Sequence, residues 1–236
     1  SEGRIYTYSG LAIPASEIFV ETDPASWVDR LVQAVHRLAY PTLPFDHAAL
    51  PDILDTARID DVFRGILQGD GAAADRVRGF GPALGISSRE APDRFDAGGC
   101  EVTEIIAAEL ASQGGEVSAP ALVQSLCRDH GLNRALATLY LLVYVLHAEA
   151  EVTLARYGAA RLVDGSPLPG DRITWDLVRE VRFPSAPTDR LGVLRARARL
   201  SWNAVLPYAT ILDRELRPAD DGAEVARQEE RLIAAL

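Results

Sequence analysis

Cys127 and His130 come nearest to a recognised chemical pattern, because Cys-x-x-His is the spacing of half a metal site. Zinc sites usually supply a second local pair, whereas here further ligands would have to come from scattered residues such as His36, His47 or His147. Cys127 and Cys100, each in or beside an apolar helical pattern, read instead as buried reduced thiols. Asp60-Asp61 reads as the start of a helix, where carboxylates complement the dipole without catalysis. The glycine-rich run from Gly79 to Gly85 follows no clear strand and lacks an acidic ribose ligand at the spacing a dinucleotide site needs, so it reads as a turn. No G-x-S-x-G occurs, and no serine, histidine and acid are spaced as a triad. The expectation is therefore no catalytic residue, no metal ligand set and no cofactor site.

Charge chemistry is more informative. All 24 basic residues are arginines, and the absence of lysine excludes a complete P-loop, a pyridoxal Schiff base and a protein-kinase site within this chain. With no methionine and only Asn133 and Asn203 as asparagines, the bias reads as that of a high-GC bacterial genome. The net charge of −10 resides in residues 1–118, and residues 119–236 are neutral. An acidic first half repels a phosphate backbone, so general nucleic-acid binding is disfavoured there. The one basic concentration is Arg179, Arg182, Arg190, Arg195, Arg197 and Arg199, interrupted by Glu180 and Asp189. On a strand, Arg195, Arg197 and Arg199 would share one face and could meet phosphate. The alternative is a solvated face that pairs with the acidic half.

The elements that must position these residues follow from periodicity. Short extended pieces occupy the first twenty residues, around Ile5, Leu11 to Ile13, and Ile18 to Val20. Asp23-Pro24 then opens a helix stopped at Tyr40-Pro41. Pro44-Phe45-Asp46 opens a second helix carrying Leu50, Ile53 and Leu54, and a third carries Ile59, Val62, Phe63, Ile66 and Leu67. A further helix spans about 72–80, and residues 87–99 read as an exposed connector. Helices follow at 102–112, from the Ser118 cap to His130, and at 133–149. A hairpin is then expected, with Val152 and Leu154 facing Arg161 to Val163 around Tyr157-Gly158, and next a short helix capped by Thr174. That order is that of a winged helix with an appendage. The candidate recognition helix is polar only at Asn133 and Arg134 and apolar all round beyond, a pattern that means burial. Beyond Pro184 and Pro187 the pattern reads as helical to Leu236. The expected fold is mainly α with minor β: a helical subdomain at 1–98, a winged-helix-like subdomain at 99–183 and a C-terminal helical segment at 184–236.

No signal peptide is visible, and the longest nearly apolar stretch, 135–148, is too short to cross a bilayer, so a cytoplasmic protein with no membrane partner is expected. Ser1 in place of an initiator methionine, with a helical pattern still running at Leu236, leads us to expect an excised piece of a longer protein.

Four stretches carry a resemblance. Tyr40-Pro41-Thr42-Leu43-Pro44-Phe45 is similar to the segment after the ATPase core in large bacterial phage-defence ATPases of the bacteriophage-exclusion and phage-growth-limitation type. Residues 118–181, with the Asp129-His130-Gly131-Leu132 turn and the Asp164-Gly165 wing, resemble the winged-helix region of such proteins. Trp202-Asn203 and Gln228 to Leu232 resemble the helical segment beyond it. The resemblance implies an accessory, non-catalytic region that couples nucleotide state to a protein partner, to other domains of the same polypeptide, or to DNA, with the P-loop elsewhere. A DNA-binding winged helix using Asn133, Arg134 and the arginine segment is the alternative, and a stand-alone enzyme the third class.

Overall fold

A computed structural model describes residues 3–6, 12–19, 23–40, 43–156, 160–183, 190–197, 202–219 and 221–234. It is about 49% helical and 13% strand, a mixed α/β chain in which helix dominates. Two compact units are present, Ser1–Ala196 and Arg197–Leu236.

The first unit opens with an antiparallel pair, β1 (Arg4–Tyr6) and β2 (Ala12–Pro14). The third strand expected around Ile18 is instead the short helix α1 (Ala15–Ile18), and Leu11 and Val20 lie outside the described residues. Helix α2 (Pro24–Ala39) begins where the Asp23-Pro24 signal places it, and the Asp23 carboxylate accepts from the Ser26 amide at 3.2 Å. The helix expected around Leu50 to Leu54 does not form. Only a single tight turn, His47–Ala49, is helical, because Pro51 forces Leu50 towards an extended backbone, and Ile53 is left exposed.

Helix α3 (Thr56–Val62) runs into a wider turn of π type at Phe63–Leu67. Its cap is Asp55, whose Oδ1 accepts from the Arg58 amide at 2.8 Å. Asp60-Asp61 therefore lie near the helix's C-terminal end and not at its start. Helix α4 (Gly71–Val77) follows, capped by Asp70, and then the short α5 (Phe80–Ala83). Residues 87–99 form no helix or strand and are largely exposed, as expected of a connector, but they are anchored at both ends. Ile86, Ser87, Ala97 and Cys100 are buried, and Ser87 pairs with Phe95 as a single bridge. One cluster of buried side chains, from Ile59 to Leu194, includes residues on both sides of the expected boundary near residue 98.

Helix α6 (Glu101–Ser112), strand β3 (Glu116–Ser118), helix α7 (Ala119–His130) and helix α8 (Arg134–His147) follow. From Leu136 to Val145 every residue of α8 is buried, as an all-round apolar pattern requires. Gly131 ends α7 at φ 70°, and a Cβ there would sit 2.6 Å from Cγ of Tyr40. The Tyr40 hydroxyl donates to the last carbonyls of α7, 2.9 Å to Arg128 and 3.4 Å to Cys127.

Strands β4 (Glu151–Leu154), β5 (Arg172–Thr174) and β6 (Leu191–Arg195) complete an antiparallel sheet in the order β3-β6-β4-β5. The hairpin differs from expectation. Strand β4 pairs with β5 and β6, while Arg161 bridges to Pro167 and Leu162 to Val181; Tyr157-Gly158 lie outside the described residues. Thr174 ends β5 and accepts from the amides of Leu177 and Val178 through its carbonyl, which gives turns in place of a helix. The segment beyond Pro187, expected to be helical, supplies β6. One row across the sheet, Val117, Leu194, Val152 and Ile173, is buried, and the adjacent row carries Glu116, Arg195 and Glu151, as the pleat dictates.

The second unit holds α9 (Trp202–Ala209) and α10 (Gly222–Ala234). Trp202, Ala209 and Leu216 form its small core, with Val225 and Leu232 of α10 against it. The Trp202 indole donates to the Arg217 carbonyl at 2.7 Å, and the Asn203 side chain accepts from the Ala219 amide at 3.1 Å. No helix among the described residues is long and apolar enough to cross a membrane.

Candidate functional site

Asn133 is the N-cap of α8, and its Oδ1 accepts from the Leu136 amide at 2.8 Å. Its side chain is thus engaged in capping the start of the helix, while Arg134 beside it is exposed. Replacing Asn133 by alanine is expected to cost about 1 kcal/mol, the usual worth of such a cap, read as a lower urea midpoint.

Of the arginine segment, Arg195 lies on the sheet. Arg195 ends β6 between two carboxylates, 2.9 Å from Glu116 and 4.0 Å from Glu151, and Glu151 in turn pairs with Arg172 at 2.9 Å. Register explains this ladder, since Glu116 and Glu151 both face Arg195 across the sheet. Exposed pairs of this kind contribute little stability, but they neutralise the guanidinium that a phosphate would need. Arg197 is exposed and begins the second unit, and Arg199 lies outside the described residues.

Cys100 is buried and Cys127 half-buried; both are free thiols, and burial pushes each above its ordinary pKa. Among the described residues no three His, Cys, Asp or Glu side chains are grouped to hold a metal. His147 is exposed, and the side chains of His36 and His47 lie outside the described residues. In the last turns of α7, Arg128 and Ser125 hold the Asp129 carboxyl far below the usual carboxylate range.

The concentration of polar groups that sequence did not assemble is a cleft of about 790 Å³ in the first unit. Asp60 and Arg64 reach it from α3 and the π turn, Arg179 and Arg182 from the turns after β5, and Val163 and Phe183 add apolar surface. Gln68 ties the two sides together, its Nε2 donating to the Val181 carbonyl at 2.7 Å. Phe183 stacks on Phe63 with centroids 5.0 Å apart. The Arg64 guanidinium is turned onto Asp70, the cap of α4. Oδ1 of Asp60 is buried without a hydrogen-bond partner.

Burial pushes the Asp60 carboxyl above its ordinary value, opposed by Arg64 and Arg182 and reinforced by Asp61. Asp61 itself is held low by the Arg76 guanidinium, which donates to it at 2.6 Å and 3.0 Å. Because the folded-state value of Asp60 is raised, its stabilising contribution is complete below the unfolded value of about 4 and is lost as pH rises through the folded value. Asp60→Asn is thus expected to gain up to about 1 kcal/mol near neutral pH, limited because part of the side chain still meets water. The gain should vanish in acid, where the parent carboxyl is also neutral. Urea midpoints of both proteins at about pH 3.5 and about pH 7.5 check this.

The Asp60-Asp61 pair is visible in the sequence, but its role is not, because the arginines opposite lie more than a hundred residues on. No family, no curated protein and no solved structure matches the chain.

Proposed function

We propose that the chain is a non-catalytic interaction and coupling region of a larger ATP-dependent bacterial protein of the phage-defence kind, built on a winged-helix unit with an enlarged wing. The supporting order is α6, β3, α7, α8 and β4, with β6 returning between β3 and β4; residues 160–183, including β5, would belong to the enlarged wing. The observation that carries the non-DNA reading is the enclosure of α8 from Leu136 to Val145, which leaves no face to enter a major groove. Two stretches behind the family resemblance are also bonded to one another, Tyr40 to the carbonyls before the Asp129 to Leu132 turn.

The second reading, a DNA-binding winged helix, is favoured only by the exposed Arg134 at the start of α8. Fluorescence anisotropy with a labelled duplex at about 50 and 200 mM salt separates the two. The coupling reading expects no binding tighter than the general electrostatic range of roughly 10⁻⁴ to 10⁻⁶ M, and no change in Asn133→Ala/Arg134→Ala. Tighter binding that this double variant abolishes would replace it with the DNA reading.

A further inference from the structure

We propose that a hollow of about 380 Å³ between the His47–Ala49 turn, α5 and the connector binds a small phosphate monoester, with Arg78 and Arg89 as its anion-binding pair. The inference stands apart from the proposed function, since it concerns neither α8 nor the sheet.

Its basis is an uncompensated positive charge in the acidic half of the chain. Residues 1–118 carry the whole net charge of −10, yet Arg78 and Arg89 are the only charged residues that line this hollow. Both are exposed, and neither guanidinium forms an ion pair or a hydrogen bond with a described residue. Acids nearby in sequence do not supply the missing charge. Asp46 accepts from the Ala49 amide at 3.2 Å, Asp52 faces Arg58 at 3.9 Å, and Glu90 and Asp93 lie outside the lining.

The walls are fixed by the fold itself. The Asp46 amide donates to the Ala83 carbonyl at 3.0 Å, which joins the His47–Ala49 turn to α5. On the other side the Ser87 hydroxyl donates to the Pro92 carbonyl at 3.0 Å. A Cβ on Gly81 would sit 3.1 Å from that same carbonyl oxygen, so α5 lies hard against the connector. Pro82, Ala83 and Pro92 thus form a stiff apolar lining beside two long, unengaged cationic side chains.

These features select the ligand. A guanidinium presents a planar fork of N–H donors, and two of them match a phosphate dianion in charge while exceeding the two oxygens of one carboxylate. The apolar lining suits a small apolar group esterified to that phosphate. The volume lies at the lower end of small-molecule sites, room for one ring and one phosphate.

Proton–nitrogen correlation NMR of the 236-residue chain, titrated with phenyl phosphate, inorganic phosphate, benzoate and phenol, tests this. Phenyl phosphate should bind with a Kd of about 1 mM or tighter and shift the amides of Ala49 and Gly79. Benzoate and inorganic phosphate should each be weaker by about fivefold, and phenol without effect at about 10 mM. Arg78→Ala and Arg89→Ala, both at exposed positions that do not threaten folding, should each weaken phenyl phosphate about tenfold. Arg94→Ala, exposed in the same connector but outside the lining, should leave it unchanged. Absence of shifts at Ala49 and Gly79 at about 10 mM phenyl phosphate, equal affinity for benzoate or inorganic phosphate, unchanged affinity in both lining variants, or an equal loss in Arg94→Ala overturns the proposal.

Discussion

Gly65→Ala is expected to destabilise the first unit by about 3 kcal/mol, at the upper end of what overpacking costs. Gly65 lies in the π turn that follows α3, where the chain passes against the first turn of α4. A Cβ at this position would stand 2.6 Å from the Ala74 nitrogen, 2.7 Å from its Cα and 2.9 Å from the Ala73 carbonyl carbon. All three are backbone atoms, so no rotamer change relieves the clash; α4 must move as a body. That movement would disturb Ala73 and Val77, which face the core, and the Asp70 cap that holds Arg64. Gly71→Ala is the matched control. A Cβ there meets nothing within 4 Å, and its φ is not in the left-handed region, so that variant should be neutral or gain up to about 1 kcal/mol. Urea denaturation of both variants reads the difference, and a loss below about 1 kcal/mol in Gly65→Ala would mean that α4 is free to slide over the π turn.

Local patterns carried the helices whose apolar spacing is self-contained. Ile59, Val62, Phe63, Ile66 and Leu67 all reach the core as their spacing demands, even though the last five residues of that run widen from α to π geometry. The enclosure of α8 was likewise legible, because a helix apolar on every side has no solvent face to offer. What failed was non-local. Strand β6 reads as helical in isolation, and only pairing with β3 and β4, some 40 to 80 residues earlier, makes Leu191 to Arg195 extended. The same dependence hid the cleft: Gln68 and Val181, which join its two sides, are 113 residues apart. The apolar spacing of Leu50, Ile53 and Leu54 suggests a helix, but Pro51 restricts Leu50 locally and only His47–Ala49 turns helical. The glycines and prolines of 87–99 mark a largely exposed connector; what they do not show is its anchoring by the buried Ser87 and Ala97.

Tyr140→Ala is expected to cost about 3–5 kcal/mol, the loss typical of deleting a large aromatic from a close-packed interior. Tyr140 is the largest fully buried side chain among the described residues, at 0% exposure, and its hydroxyl donates to the Leu84 carbonyl at 2.9 Å. Burial drives its phenol well above the ordinary tyrosine value, so it should not ionise before the protein unfolds in alkali. Tyr140→Phe removes only the donor and should cost about 1 kcal/mol. The thiol of Cys100 lies 3.9 Å from the same carbonyl and leaves it a weak partner. This contact joins α8 to a segment on the other side of the boundary that composition suggested near residue 98. If one core spans residues 59–194, Tyr140→Ala lowers protection of amides in α3, α4 and α8 together in hydrogen exchange. Separate subdomains would instead leave α3 and α4 protected while α8 opened, and that outcome would restore the boundary. A common loss follows from the packing, because Tyr140, Leu84 and Phe63 belong to the same buried cluster and a cavity beneath α8 deprives both sides of contacts.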